Sequence, residues 1–101
     1  MSRSKGVLVP KADMPVAKTS FGCYVHSASG SIYVVGGRDV SKSATAKCEL
    51  YNFLNDEWTQ LPELPKAAYS LSCLFNPQKE TLYAFGGFDR TDSLLSSISR
   101  L

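Results

Sequence analysis

The chain has 101 residues, 44% of them hydrophobic and 20% charged, which is the size and composition of one small globular domain. Its net charge of +2 comes from 11 basic and 9 acidic side chains without a run of like charge, so neither nucleic acid nor an anionic membrane is favoured as a partner. No apolar stretch approaches the roughly 18 residues of a membrane span. The basic start of the chain precedes only a short apolar run, so we expect no secretory signal.

In chain order, the sequence opens with residues 1–13, a segment that we interpret as a possible outer strand. Four short runs rich in β-branched and aromatic residues follow, separated by turn-forming Ser, Gly, Asn and Asp residues. None of these runs shows a helical period. The predicted strands lie at residues 20–27, 31–37, 47–53 and 58–64, with a polar loop at 38–46.

The second half of the chain repeats the first at a shift of fifty residues, without gaps. The stretch "SIYVVGGRD" at residues 31–39 returns as "TLYAFGGFD" at residues 81–89. A repeated unit of four short antiparallel strands is the blade of a β-propeller, so we predict an all-β, antiparallel fold of about two blades. Identical residues recur at Pro15 and Pro65, Ala17 and Ala67, Ser20 and Ser70, Cys23 and Cys73, Tyr33 and Tyr83, Asp39 and Asp89, and Ser43 and Ser93.

The packing of this unit can be anticipated from its sequence pattern. The first two strands do not alternate cleanly between apolar and polar residues, so we expect both of their faces to be covered. Gly36 and Gly37 end the second strand and allow positive φ or a close approach of another backbone. Trp58 follows Tyr51 by seven residues across a turn, and we expect both rings to pack between neighbouring sheets.

The three cysteines are Cys23, Cys48 and Cys73. None lies in Cys-x-x-Cys spacing, and an odd, widely spaced set argues against both a disulfide framework and a zinc site. We therefore predict buried, reduced thiols in the core, which fits a cytoplasmic protein. We expect no metal and no other cofactor.

The repeated elements resemble the kelch repeat, in which a strand ending in two glycines is followed by a polar loop, a tyrosine, and a tryptophan about seven residues further on. Here these residues are Gly36, Gly37, Tyr51 and Trp58. The resemblance covers nearly the whole chain from about Met14 and implies kelch-type propeller blades. It divides the chain into the N-terminal segment 1–13, a first repeat at 14–63 and a second repeat at 64–101 that lacks its last strand.

The sequence carries fewer than two complete blades, whereas a propeller closes with roughly four to eight. Two blades alone expose apolar faces, so further blades are expected. They can come from a longer chain, from another chain or from self-association. In the last case the N-terminal segment has the position of an outer strand, because Leu8 falls opposite Trp58 at the fifty-residue shift, and three copies would form six blades.

The residues offer little support for an enzyme. His26, the sole histidine, lies at a strand end, where we expect it to be hydrogen-bonded or solvent-facing. Carboxylates such as Glu49 are expected at the solvated surface, and their spacing groups no nucleophile with a base and an acid. Asp39 and Asp89 are expected to organise the turns after the paired glycines through hydrogen bonds to the backbone. We therefore predict no enzymatic activity.

The kelch resemblance implies a protein–protein interaction module or scaffold, since in that family the loops after the paired glycines and the linkers entering each blade often face a partner. Arginine suits pairing with a partner carboxylate, and exposed aromatic rings suit binding hot spots. Two alternatives stay open: a structural subunit or fragment packing into a larger assembly, and a fragment of a sugar-active kelch enzyme. The candidate partner-binding residues are Arg38, Asp39, Lys42, Ser43, Tyr69, Ser70, Phe88, Asp89 and Arg90, with Lys18, Ser20, Lys66 and Asp92 beside them.

Overall fold

The structure, a computed structural model, describes residues 11–95 and 98–100. These residues form β-strands and a single 3₁₀ turn at Ser27–Ser29, so the predicted all-β fold is confirmed. The strands are β1 at Gly22–His26, β2 at Ser31–Val35, β3 at Cys48–Asn52, β4 at Glu57–Leu61, β5 at Ser72–Asn76, β6 at Thr81–Phe85 and β7 at Ile98–Arg100.

The strands are arranged in two antiparallel sheets. The first sheet has the order β1-β2-β3-β4 and the second the order β5-β6-β7, so every strand pairs with its neighbour in the chain. Strands β5 and β6 have the bounds of β1 and β2 shifted by fifty residues, and β7 begins fifty residues after β3. The sequence repeat is therefore a repeat of one sheet, as predicted.

The backbone conformation repeats together with the strands. Ser20 and Ser70, which precede the first strand of each sheet, have left-handed φ values of 53° and 56°. Lys42 and Asp92, in the polar loops, have φ values of 65° and 60°. Non-glycine residues rarely adopt this region, so its recurrence at equivalent positions shows that both repeats require the same turns.

The core lies between the two sheets. Val35 and Cys48 from the first sheet are fully buried against Leu82 and Ala84 from β6. Leu64, in the linker between the sheets, fills the space beside them and donates its backbone N–H to the Ala46 carbonyl oxygen at 2.8 Å. The apolar residues of one sheet thus become buried only because the next sheet packs on them.

Besides the Leu64 bond, three backbone hydrogen bonds, which we call the inter-sheet bonds, connect the linker to the segments that flank the strands of the first sheet. Gly37 N donates to Ala68 O at 2.8 Å, Ala68 N donates to Thr45 O at 3.2 Å, and Ser70 N donates to Ser20 O at 2.6 Å. These bonds pair backbone groups that would otherwise face the neighbouring sheet without partners.

The expectation that both faces of the first two strands are covered is correct for β2 and wrong for β1. Val34 and Val35 of β2 are 3% and 0% exposed, whereas Cys23 and Val25 of β1 are exposed. One face of β1 packs on β5 through Tyr24, and in the described residues no sheet covers the opposite face.

The prediction of three buried thiols is likewise wrong for Cys23, because that side chain points away from the second sheet. Cys48 is buried and Cys73 is half-buried, and all three thiols are free. Burial, together with the neighbouring Cys23 and Cys48 thiols, raises the pKa of Cys73 to about 11. The inward-facing thiols thus behave as small apolar core groups.

Most of the segment predicted as an outer strand, residues 1–10, lies outside the described residues. The chain that follows contacts the first sheet at its outer strand pair. Ala12 N donates to Asp56 Oδ1 at 2.8 Å, and Ala12 O accepts a hydrogen bond from Trp58 Nε1 at 3.0 Å. Tyr51 lies directly opposite Trp58, with 4.9 Å between ring centroids, and donates its hydroxyl to Asp56 Oδ1 at 2.6 Å.

Candidate partner-binding surface

The polar loops that follow the paired glycines lie beside the linkers that enter each sheet. Thr19 and Arg38 exchange two backbone hydrogen bonds of 2.9 and 2.8 Å, and Tyr69 and Phe88 exchange an equivalent pair of 2.9 Å each. Loop and linker therefore form one continuous surface. We call residues 38–44, 66–70 and 88–94 the loop surface.

A row of three side chains crosses the loop surface from the first repeat to the second. The Arg38 guanidinium carbon lies 4.8 Å from the centre of the Tyr69 ring, within the range of a cation–π contact. The Tyr69 ring stacks on Phe88 with 5.5 Å between centroids. Arg38 Nε also donates to the Lys42 carbonyl oxygen at 3.0 Å. These contacts hold a cation and two aromatic rings in fixed positions.

Tyr69 is held at both ends. Its hydroxyl donates to Asp92 Oδ1 at 2.6 Å, and this hydrogen bond is the main reason that the pKa of Tyr69 is raised. Because Asp92 belongs to the second loop, the bond joins the linker to the loop of the same repeat. The ring is therefore presented in one orientation.

Asp39 and Asp89 organise the loops through their carboxylates, as expected. Asp39 Oδ1 accepts backbone N–H bonds from Ser41 and Ser43 at 2.9 and 3.2 Å. Asp89 Oδ1 accepts equivalent bonds from Thr91 and Ser93 and a third from the Thr91 hydroxyl, at 2.9, 3.0 and 2.7 Å. The bonds from Thr91 and Ser93 lower the pKa of Asp89.

The second loop also contacts the first. Arg90 Nε donates to the Ala44 carbonyl oxygen at 3.1 Å, so an arginine of one repeat bridges to the loop of the other. Beside it lies a shallow cavity of 210 Å³ lined by Lys66, Ala67, Asp89, Arg90 and Thr91. Lys66 Nζ is 3.9 Å from Asp89 Oδ2. The two polar loops, which were predicted as separate elements, thus contact each other.

The structure brings together most of the predicted residues. Arg38, Tyr69 and Phe88 form the row, and Arg90 joins the two loops. The side chains of Lys42, Ser43 and Ser70 are exposed beside them without joining the row.

Lys18 was predicted to face a partner, and this is wrong. Its Nζ lies 2.7 Å from Glu49 Oε1 and donates to the Lys47 carbonyl oxygen at 2.8 Å. Both side chains of the ion pair are 0% exposed, so Glu49 is not at the solvated surface either. The linker covers this face of β3, which encloses the pair.

The Lys18–Glu49 pair was missed, although the repeat contains a signal for it. At the fifty-residue shift, Lys18 stands where the second repeat has Ala68, and Glu49 stands where it has Ser99. Two opposite charges thus appear together in one repeat and are absent together from the other. A buried charge requires a partner, so the joint appearance indicates contact.

The remaining polar groups form local contacts. His26 Nδ1 is hydrogen-bonded to Ser29 Oγ at 2.5 Å, as expected for a strand-end histidine, and its ring lies 4.7 Å from that of Phe75. Within residues 11–95 and 98–100, no three His, Cys, Asp or Glu side chains are grouped as metal ligands. None of the helical segments in that part of the chain has the length and apolar character needed to cross a membrane.

Adjoining four-stranded and three-stranded antiparallel sheets that share one register and pack face to face are neighbouring blades of a β-propeller. The sequence profile of the kelch motif family matches residues 21–65, from just before β1 to the linker after β4. The chain belongs to the kelch-repeat family.

Curated relatives carry the same family name. A kelch repeat-containing protein of Dictyostelium discoideum is 28% identical over 78% of this chain, and Kelch-like protein 40 of Xenopus tropicalis is 33% identical over 81%. An F-box/kelch-repeat protein of Arabidopsis thaliana is 36% identical over 62% of the chain. The chain spans 12%, 12% and 16% of the lengths of these three relatives, respectively.

Proposed function

We propose that this kelch-repeat chain is a protein-interaction module whose loop surface binds a protein partner. The observation that carries the proposal is the row of Arg38, Tyr69 and Phe88, held by contacts of 4.8 and 5.5 Å. Arginine and aromatic side chains dominate binding hot spots, and fixing them before binding lowers the entropy cost of association. Loops carried on a rigid sheet scaffold are the usual place for such recognition.

The charges of the loop surface support a partner with exposed carboxylates. Asp39, Asp89 and Asp92 accept hydrogen bonds from their own loops or from Tyr69. The cations Lys42, Lys66 and Arg90 are exposed. Lys66 is near Asp89, and Arg90 uses its Nε on the Ala44 carbonyl oxygen. Among the described residues, Lys42 and the other N–H groups of the Arg90 guanidinium are therefore the donors left to a partner carboxylate.

We place this activity in the cytoplasm. The three thiols are free, and Cys23 is exposed, which suits a reducing compartment. More specifically, we propose that the chain acts as a scaffold, which holds a partner without altering it.

The test begins with affinity capture to identify a partner, followed by titration of that purified partner against variants of the chain. Arg38→Ala and Phe88→Ala should each weaken binding about tenfold or more, because hot-spot truncations cost about 2 kcal/mol or more. Lys79→Ala is the matched control, since it removes an exposed cation from the β5–β6 turn, outside the loop surface. Equal binding by all three variants would exclude the loop surface as the binding site.

A further inference from the structure

The second sheet has an open apolar face. In the first sheet, the corresponding face is covered by the second sheet, and the shared register allows each position to be compared with its equivalent fifty residues later. An exposed apolar patch of this kind marks an interaction surface. Exposure rises from 0% at Val35 to 37% at Phe85, from 0% at Cys48 to 70% at Ile98, and from 2% at Ala44 to 76% at Leu94.

Backbone groups beside this open face lack the partners that their equivalents have. In the inter-sheet bonds, the first repeat contributes Gly37 N, Thr45 O and Ser20 O. Fifty residues later, the equivalent groups are Gly87 N, Leu95 O and Ser70 O. Within residues 11–95 and 98–100, none of these three groups has a backbone hydrogen-bond partner. The open face therefore presents a donor and two acceptors in the pattern that the linker of a following sheet satisfies.

The opposite face of the first sheet carries the matching apolar surface. Val25 of β1 stands at the position of Phe75, which packs on the first sheet by stacking on Tyr24 at 5.4 Å. Val25 is 53% exposed, and in the described residues no sheet lies against it. The equivalent of Tyr24 on the second sheet is Leu74, which is 60% exposed. One half of this contact is thus open on the first sheet, at Val25, and the other half is open on the second sheet, at Leu74.

The linker of the first sheet also carries the matching backbone groups. Lys18 is the equivalent of Ala68, and its side chain turns inward to Glu49. Within the described part of the chain, its backbone N–H and C=O and the N–H of Ser20 have no backbone partner. These are the two donors and one acceptor that complement the open groups of the second sheet.

We propose that the open face of the second sheet binds the open face of the first sheet of another copy of this chain, head to tail. Leu74 would then pack on Val25 of the second copy, and Gly87 N would donate to its Lys18 O. The contact repeats the packing already present between the two sheets, so it needs no new surface. A head-to-tail contact of this kind closes into a ring or continues as an open array.

Gly86 supplies a further sign that this face admits a backbone. A Cβ at Gly36 would lie 2.5 Å from Ala68 O, because the linker of the second sheet passes over it. A Cβ at Gly86 would meet no atom within 4 Å. The position equivalent to the close approach at Gly36 is therefore vacant, and Lys18 O of a second copy fits there.

Light scattering across a concentration series of the full chain tests this proposal. We expect the wild type to exceed the 11.0 kDa of a single chain. Leu74→Glu and Val25→Glu each block one face, so each variant alone should have the mass of one chain. An equimolar mixture of the two should have the mass of two chains, because each variant retains the face that the other has lost.

Two further variants separate the contact from misfolding and from general stickiness. Gly86→Ala should abolish association while the chain keeps its circular dichroism spectrum, since its Cβ clashes only with a docked copy. Val40→Glu, at an 83% exposed loop position, should keep the wild-type mass. A wild type with single-chain mass at every concentration would overturn the proposal and leave this face to a blade of another polypeptide. So would a mixture of Leu74→Glu and Val25→Glu that stays at single-chain mass.

Discussion

Asp89 fixes the conformation of the second loop through one carboxylate oxygen. It accepts bonds from the Thr91 hydroxyl and from the Thr91 and Ser93 N–H groups. These donors favour the charged form, and the pKa of the carboxyl is lowered from its ordinary value of about 3.9. The loop that carries Phe88 and Arg90 thus depends on an ionised side chain.

This dependence gives stability a defined response to pH. A carboxyl whose pKa is lower in the folded state stabilises the fold above its unfolded pKa, and the contribution is lost as pH falls through the folded pKa. Asp89→Asn should therefore lower the melting temperature most near pH 7, and the difference from the wild type should shrink below about pH 4. Thr91→Val, which removes one donor, should act in the same direction by less. A difference that is equal at pH 7 and pH 3 would contradict this role.

Gly36 and Gly86 are equivalent residues in different surroundings. Both have left-handed φ, at 61° and 73°, so alanine at either position costs about 1–2 kcal/mol of backbone strain. At Gly36 the new Cβ also meets Ala68 O at 2.5 Å. Gly36→Ala should therefore destabilise the fold by clearly more than Gly86→Ala, as measured by urea denaturation at concentrations where the chain is a single molecule. Equal destabilisation would mean that the linker does not pass over Gly36.

The linker before β1 is fastened to β3 by the buried Lys18–Glu49 pair. Removing one partner leaves an uncompensated buried charge, which costs about 3–5 kcal/mol. Lys18→Met should therefore destabilise strongly. Glu49→Gln added to Lys18→Met should restore much of the loss, because no charge then remains. Denaturant unfolding of both single variants and the double variant measures this coupling, and additive losses would show that the two side chains do not interact.

The strands themselves could be predicted from the sequence, because apolar runs bounded by turn residues recur in one register. That two blades expose apolar faces follows from their number, but the pattern of β1 does not show that its own face is one of them. The alternation of apolar and polar residues indicates which face of a strand is suited to burial. Cys23 and Val25 are apolar, like residues of a covered face, although they are exposed. Whether a neighbouring sheet is present is a property of the assembly, which the strand sequence does not contain.

Sequence patterns predicted which residues belong to the loop surface, but not which of them contact each other. The polar loops follow from the repeated glycines, but the stacking of Arg38, Tyr69 and Phe88 depends on how the two sheets pack. Lys18 was misplaced because its partner, Glu49, is 31 residues away in sequence and becomes adjacent only when the linker folds over β3. Contacts between elements are therefore the part of the site that spacing alone does not provide.

The loop surface and the open faces lie on different sides of the two sheets. The loop surface runs across the ends of both sheets. The open faces lie on the broad sides of the sheets and are complementary between copies. Leu94 and the Ser70 carbonyl oxygen belong to both surfaces, but Arg38, Tyr69 and Phe88 lie outside the open faces, so association of copies leaves that row free for a partner.

We expect the loop surface, and not a sheet face or the turns at the other ends of the strands, to bind a protein partner. Titration of the ¹⁵N-labelled chain with the captured partner, followed by NMR, tests it at every amide. We expect the largest shift changes at Arg38, Tyr69, Phe88 and their loop neighbours, with little change in the β5–β6 turn around Lys79. Changes centred on that turn, or on the faces of β1 and β5 with the loops unaffected, would contradict the claim.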